Sequence, residues 1–186
     1  MLCLGFTSLL VLVLGTSSGT AFPRDALKKG CSLSKYRFPV PHELQAVWKL
    51  KKQFEDIMPL SDHKCHTRLF HRKWKVASLS VLDRVKLVEA ELDFAISMLE
   101  LPADPRFAKT RWQPLAFLTQ VQEDLRGCMD TEALLHQPSG KVRHWLHKLQ
   151  EAKESRGVGC LEASAILHLF QILHDLQCVA LWEQCT

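Results

Sequence analysis

Cys160-Leu161-Glu162-Ala163-Ser164-Ala165-Ile166-Leu167-His168-Leu169-Phe170-Gln171-Ile172-Leu173-His174-Asp175-Leu176-Gln177-Cys178-Val179-Ala180-Leu181-Trp182 reads as one helix with two apolar stripes. On a helical wheel Leu161, Ala165, Leu169, Ile172, Leu173, Leu176 and Val179 gather on one broad face. Ala163, Leu167, Phe170, His174 and Leu181 fall on nearly the opposite side. One stripe is enough to seat a helix in a core. The second must meet either another element of the chain or a different molecule. Two readings stay open from this stretch alone: a central helix buried on both sides, or a helix that shows one side to a partner.

Upstream, the periodic segments are helical as well. Pro41-His42-Glu43 opens a helix with the stripe Leu44, Val47, Leu50, Phe54 and Ile57, and Pro59 ends it. The segment from Pro59 to Ser78 has no sustained period, which is long for a plain loop and marks it as functional or partly helical. Ser80-Val81-Leu82-Asp83 resembles a capping box for a helix with Val81, Val85, Val88, Leu92, Ile96 and Leu99 on one face, stopped by Pro102. Pro114 is placed in the first turn of a helix carrying Leu115, Leu118, Val121, Leu125 and Cys128. A shorter amphipathic helix from Lys141 to Lys153 buries Val142, Trp145, Leu146 and Leu149. No strand pattern competes, so the fold is expected to be all-α. Long helices starting near positions 41, 80, 114 and 160 are joined by long, short and long connections. Parallel neighbours need a crossover that spans the bundle, so this order predicts an up-up-down-down helical cytokine bundle.

A chain of 186 residues suits one domain with a sizeable core. Its first 21 residues are uncharged, and the apolar run Leu9-Leu10-Val11-Leu12-Val13-Leu14 is followed by the small residues Gly15 to Ala21. That pattern is expected of a signal peptide over residues 1–21, leaving a secreted domain over residues 22–186. No later run is expected to span a membrane. Six cysteines remain after the leader: Cys31, Cys65, Cys128, Cys160, Cys178 and Cys185. An even count in an exported chain implies disulfides without fixing their pairing. In a continuous helix Cys178 and Cys185 would lie about 10.5 Å apart, beyond disulfide reach, so pairing them requires the helix to end near Trp182 and the tail to fold back. The net charge of +4 (24 Lys and Arg against 20 Asp and Glu) is too mild to indicate a nucleic-acid binder.

Catalytic patterns are missing. The chain has no nucleophile elbow, P-loop, dinucleotide fingerprint or HExxH motif. Glu89, Glu91 and Asp93 read as the wet face of a helix. His63, Cys65, His66 and His71 lie close enough together to raise a secreted zinc-dependent hydrolase as an alternative, against the simpler reading of an oxidised cysteine among solvated histidines. No cofactor and no metal are expected. Lys49, Lys51 and Lys52 surround Trp48, which lies at the edge of the core stripe, as an interface anchor would. Trp74 offers the same choice between interface and packing.

These residues resemble a family. Arg143-His144-Trp145-Leu146-His147-Lys148-Leu149-Gln150-Glu151-Ala152, followed by Gly159-Cys160-Leu161-Glu162-Ala163-Ser164, is similar to the carboxy-terminal region of the lambda (type III) interferons. Lys64-Cys65-His66-Thr67-Arg68-Leu69-Phe70 with Trp74 resembles that family's long first loop. Glu43-Leu44-Gln45-Ala46 and Glu89-Ala90-Glu91-Leu92 resemble two of its helices. The resemblance implies a six-helix cytokine related to the interleukin-10 group, with pairs Cys31–Cys128, Cys65–Cys160 and Cys178–Cys185. It implies a monomer that bridges a private lambda-interferon receptor chain and the shared interleukin-10 receptor beta chain. The outcome would be Janus kinase and STAT signalling and antiviral gene induction, chiefly in epithelia. The private chain would be met by Pro41, Leu44, Trp48, Lys49, Lys52, Leu167 and Phe170, with Trp74 a further candidate and His174 on the same stripe. Two positions depart from the pattern: Leu167 stands where mammalian members tend to carry Phe, and Trp48 where they tend to carry a basic residue.

Overall fold

The computed structural model describes residues 33–57, 68–101, 105–129 and 131–185. Among them are six α-helices: α1 (Pro41–Ile57), α2 (Val81–Glu100), α3 (Pro105–Cys128), α4 (Thr131–Leu135), α5 (Gly140–Ser155) and α6 (Val158–Leu181). Short 3-10 turns flank them, including Arg68–Phe70 and Val76–Ser78 in the segment expected to be functional or partly helical. No strand occurs among the described residues.

The apolar stripes do the packing. Val47, Leu50 and Phe54 of α1, Val85, Val88, Leu92 and Leu99 of α2, and Leu118, Val121 and Leu125 of α3 are all buried. So is every residue of the first stripe of α6, from Leu161 to Val179. Each such side chain removed from water contributes about 1.5–3 kcal/mol before chain entropy is set against it. Helix α6 is also long and apolar enough to cross a membrane by length and composition, contrary to expectation. The bundle explains its character, since 61% of its most apolar window is buried against the other helices.

Polar contacts fix the helix directions. At one end of α3, Thr110 Oγ1 donates to Gln53 Oε1 near the end of α1 (2.6 Å). At the other end, Asp124 meets Lys35 (2.6 Å) and the hydroxyl of Tyr36, just before α1. The start of α3 also meets the end of α2, where Arg111 Nε donates to the Leu99 carbonyl (2.6 Å), and Arg126 near its end reaches Glu89 (3.4 Å). Arg84 in the first turn of α2 donates to the Trp182 carbonyl beyond α6 (2.6 Å), and Arg37 ahead of α1 donates to Ala180 (3.0 Å). Helices α3 and α6 therefore run opposite to α1 and α2, which is the expected up-up-down-down bundle.

Three local expectations need correcting or completing. The third long helix begins at Pro105, and Pro114 lies inside it. Arg111 faces inward in its opening turns, where its guanidinium serves the carbonyls of Met98, Leu99 and Leu101 at the end of α2 and pairs with Glu162 (3.2 Å). With an arginine facing inward, no apolar stripe announces those turns. Glu91 is not on a wet face: it is fully buried, whereas Glu89 is half-buried and Asp93 exposed. The Ser80 cap is present, its side chain accepting from the Asp83 N–H (3.2 Å).

The tail folds back as the cysteine spacing required. Trp182 takes φ 57°, a left-handed turn rare for a bulky residue. Cys178 and Cys185 are thereby brought to a Cα separation of 5.0 Å and form a disulfide. Cys128 and Cys160 are each disulfide-bonded as well. Cys31, Cys65, His63, His66 and residues 1–21, where a signal peptide is expected, lie outside the described residues.

Candidate binding surface

The second stripe of α6 divides along its length. Ala163 is buried, and Leu167 is half-buried against the core. Phe170 is 36% exposed, while His174 is exposed. The helix thus emerges from the bundle on this side only in its second half, where the neighbouring α1 leaves an open groove of about 680 Å³. Pro41, His42, Leu44, Gln45, Trp48 and Phe170 line it. Leu44 packs partly on the core and forms the floor. Trp48, 51% exposed, and Phe170 stand up from it.

Trp48 is held from outside the core. Lys52, one turn on, places its Nζ 5.0 Å from the centre of the indole ring, a cation–π contact that restrains an otherwise free side chain. Lys49 is exposed beside it. The groove therefore combines apolar anchors with flanking positive charge. Phe38 and Val40, just ahead of α1, are exposed as well.

A second concavity of about 770 Å³ lies between the 70–77 segment and the carboxy-terminal half of α6. Phe70, Arg72, Trp74, His168, His174 and Leu181 are among its walls. Trp74 is half-buried and meets Trp145 of α5 edge to face (6.2 Å between ring centres). Of the nine residues expected to form a binding surface, Pro41, Leu44, Trp48 and Phe170 share the groove, and Trp74 and His174 share the second concavity. Lys49 and Lys52 flank the groove by their place on α1, and Leu167 lies in neither cavity.

Beneath the 70–77 segment sits a constellation that sequence reasoning missed. Arg72 is almost wholly buried and pairs with Glu91 of α2 (3.2 Å) and with Asp175 of α6. Its guanidinium lies 5.1 Å from the ring centre of Trp74 and 5.3 Å from that of Trp145. Burial pushes the Glu91 carboxyl well above the usual carboxylate range; Arg72 opposes this and the Asp175 carboxylate adds to it. The segment is tied down further by Lys148, which donates to the Leu69 carbonyl (2.8 Å), and Gln171, which donates to that of Phe70 (3.1 Å). Arg84 donates to Ala77 (2.7 Å) and Leu79 (3.0 Å).

Metal-binding patterns do not gather here. No group of three or more His, Cys, Asp and Glu side chains among the described residues is placed to hold an ion. His71, the one member of the suspected zinc cluster that is described, is exposed. His136 meets Asp83 (3.0 Å), and His147 meets Glu151 (3.3 Å).

Comparison with known proteins bears on the whole chain. The family model described as Interleukin-28A matches residues 28–182. The chain is 62% identical to Interferon lambda-3 of Gallus gallus, over the full length of both. It is 34% identical to Interferon lambda-2 of Mus musculus, again over both full lengths. Against Interferon lambda-1 of Homo sapiens the identity is 32%, covering 95% of this chain and 91% of that one.

Proposed function

The chain belongs to the interferon lambda family of helical cytokines, not to a family of enzymes, and from that premise we propose that it is a secreted antiviral signal that acts by bridging two receptor chains. One is the private lambda-interferon receptor chain and the other the shared interleukin-10 receptor beta chain. Their approach would activate the attached Janus kinases and STAT factors and induce antiviral genes, chiefly in epithelia. In this reading residues 1–21 are a cleaved leader, residues 22–186 are the secreted monomer, and Cys31–Cys128 and Cys65–Cys160 complete the disulfides.

One observation supports the private-receptor assignment: Trp48 and Phe170, large apolar side chains on adjacent helices, are exposed together in one groove, whereas the other exposed large apolar side chains, Phe38, Val40, Trp112, Leu134, Leu135 and Val158, do not line it. A large aromatic left in water is an unrealised source of binding energy, and tryptophan is enriched among hot spots. Pro41, Leu44, Lys49, Lys52, Leu167, Trp74 and His174 complete the proposed contact set around it.

Two neighbouring alanine variants of α6 test this reading. Phe170→Ala is expected to weaken private-receptor binding by about 2 kcal/mol, near thirtyfold, with little loss of stability. Leu169→Ala, on the wholly buried stripe, is expected to cost ~2–5 kcal/mol of stability instead. A Phe170→Ala protein that melts far below the parent yet binds normally when cold would make the second stripe structural and remove the groove from the interface.

A further inference from the structure

We infer that Arg72 is a positioning residue for receptor binding: it fastens the 70–77 segment to the bundle through an ion pair with Asp175, while Glu91 stays uncharged beside it. The inference rests on the receptor-binding reading above, because this segment carries Trp74 and walls the second concavity.

Charge balance carries the argument. Two carboxylates share one guanidinium where little water reaches: Glu91 is fully buried, Arg72 and Asp175 are almost wholly buried at the wall of the concavity, and Arg72 lies against two indole rings. One cation compensates one anion, and a second uncompensated charge at such depth costs several kcal/mol, so one acid keeps its proton. The geometry chooses which. Arg72 Nη2 hydrogen-bonds Asp175, whereas neither oxygen of Glu91 has a partner of strict hydrogen-bond geometry: Arg72 Nη1 lies only within ion-pair distance, the nearby Trp145 N–H favours the charged acid, and the nearby Asp175 carboxylate favours the protonated one. Asp175 is therefore the charged partner. The upward push of burial on the Glu91 carboxyl agrees.

Position gives this pair its consequence. Arg72 lies two residues before Trp74, and the Asp175 that holds it lies next to His174, so the two walls of the concavity are pinned at one point. The charged and titratable groups facing the cluster are Glu91 from α2, Asp175 and His174 from α6, and Lys148 from α5, whose Nζ lies 4.7 Å over the Trp145 ring. His168 stacks on Phe70 alongside (5.0 Å).

The test uses the oxidised, full secreted chain, private-receptor affinity and amide hydrogen exchange of residues 70–77. Glu91→Gln, a neutral mimic of the protonated acid, is expected to leave affinity within about twofold of the parent and exchange unchanged. Asp175→Asn and Arg72→Met are expected to weaken binding by about tenfold or more and to speed exchange across 70–77. Should either fail to fold, the apolar replacement Arg72→Met/Glu91→Leu/Asp175→Leu leaves no charge to bury; it is expected to fold and still bind weakly. Glu91→Gln losing as much as Asp175→Asn would overturn the assignment of charge. A folded triple variant that binds and exchanges like the parent would overturn the positioning role. A parent that binds no private receptor would remove the receptor reading, and the exchange pattern would still decide the pin.

Discussion

His168 shows how one half-buried ring feels both the bundle and the solvent. It stacks nearly parallel on Phe70, and its Nδ1–H donates to the Ser164 carbonyl (2.8 Å). Burial pushes its pKa below the usual histidine value of 6.5; the Ser164 bond opposes this and the Lys51 charge reinforces it. The ring is therefore neutral at neutral pH. Above 6.5 neither the folded nor the unfolded ring is charged, so pH has no effect through this group. As pH falls through that value the unfolded chain takes the proton first, and stability declines until the folded value is passed. Glu91 has the opposite sign, since its raised pKa favours the fold as pH falls, so the comparison must isolate His168. The parent's melting temperature, taken relative to His168→Gln, is expected to fall between about pH 7 and about pH 5. A flat difference over that window would mean burial does not govern the ring. None of this was legible in the sequence, where His168 is one polar residue between two apolar stripes. The same holds for Arg72, Glu91 and Asp175: charged residues are ordinarily read as solvated, and these meet only after three separate elements pack.

At the scale of elements, what could be read depended on what faces inward. Helices α1, α2 and α6 declared themselves because leucine, valine and isoleucine repeat at helical spacing on their buried sides. The opening turns of α3 did not: among their described side chains the buried one is Arg111. The stretch leading to Leu79 was opaque for a related reason. Its carbonyls are met by Lys148, Gln171 and Arg84, side chains on other helices that local periodicity does not report. The groove was partly legible, since Trp48 beside lysines and Phe170 on a surplus stripe are local patterns. Helix α1 supplies its charge. Lys49 and Lys52 are exposed, and such rim charges steer encounter more than they hold a complex. Lys49→Glu/Lys52→Glu is expected to lower the private-receptor on-rate about tenfold at low salt, with the deficit shrinking as salt rises. An on-rate that stays the same at low salt would remove steering from the role of α1.

For the whole molecule, the fold was inferred from connection lengths and is now fixed by contacts at both ends of the bundle. In the bridging reading proposed above, the arrangement matters because a rigid body can hold two receptor chains at once. Rigidity comes from the buried stripes, from the arginines Arg84 and Arg111 that join opposite ends of α2 to α6, and from the Cys178–Cys185 closure. Bridging, unlike simple binding, demands that both chains be present together on one cytokine. Sedimentation of the secreted protein mixed with both receptor ectodomains measures this directly. The expected result is a single complex holding one copy of each, which Phe170→Ala depletes by weakening the private-receptor arm. Two mutually exclusive binary complexes, or none, would contradict a bridging cytokine.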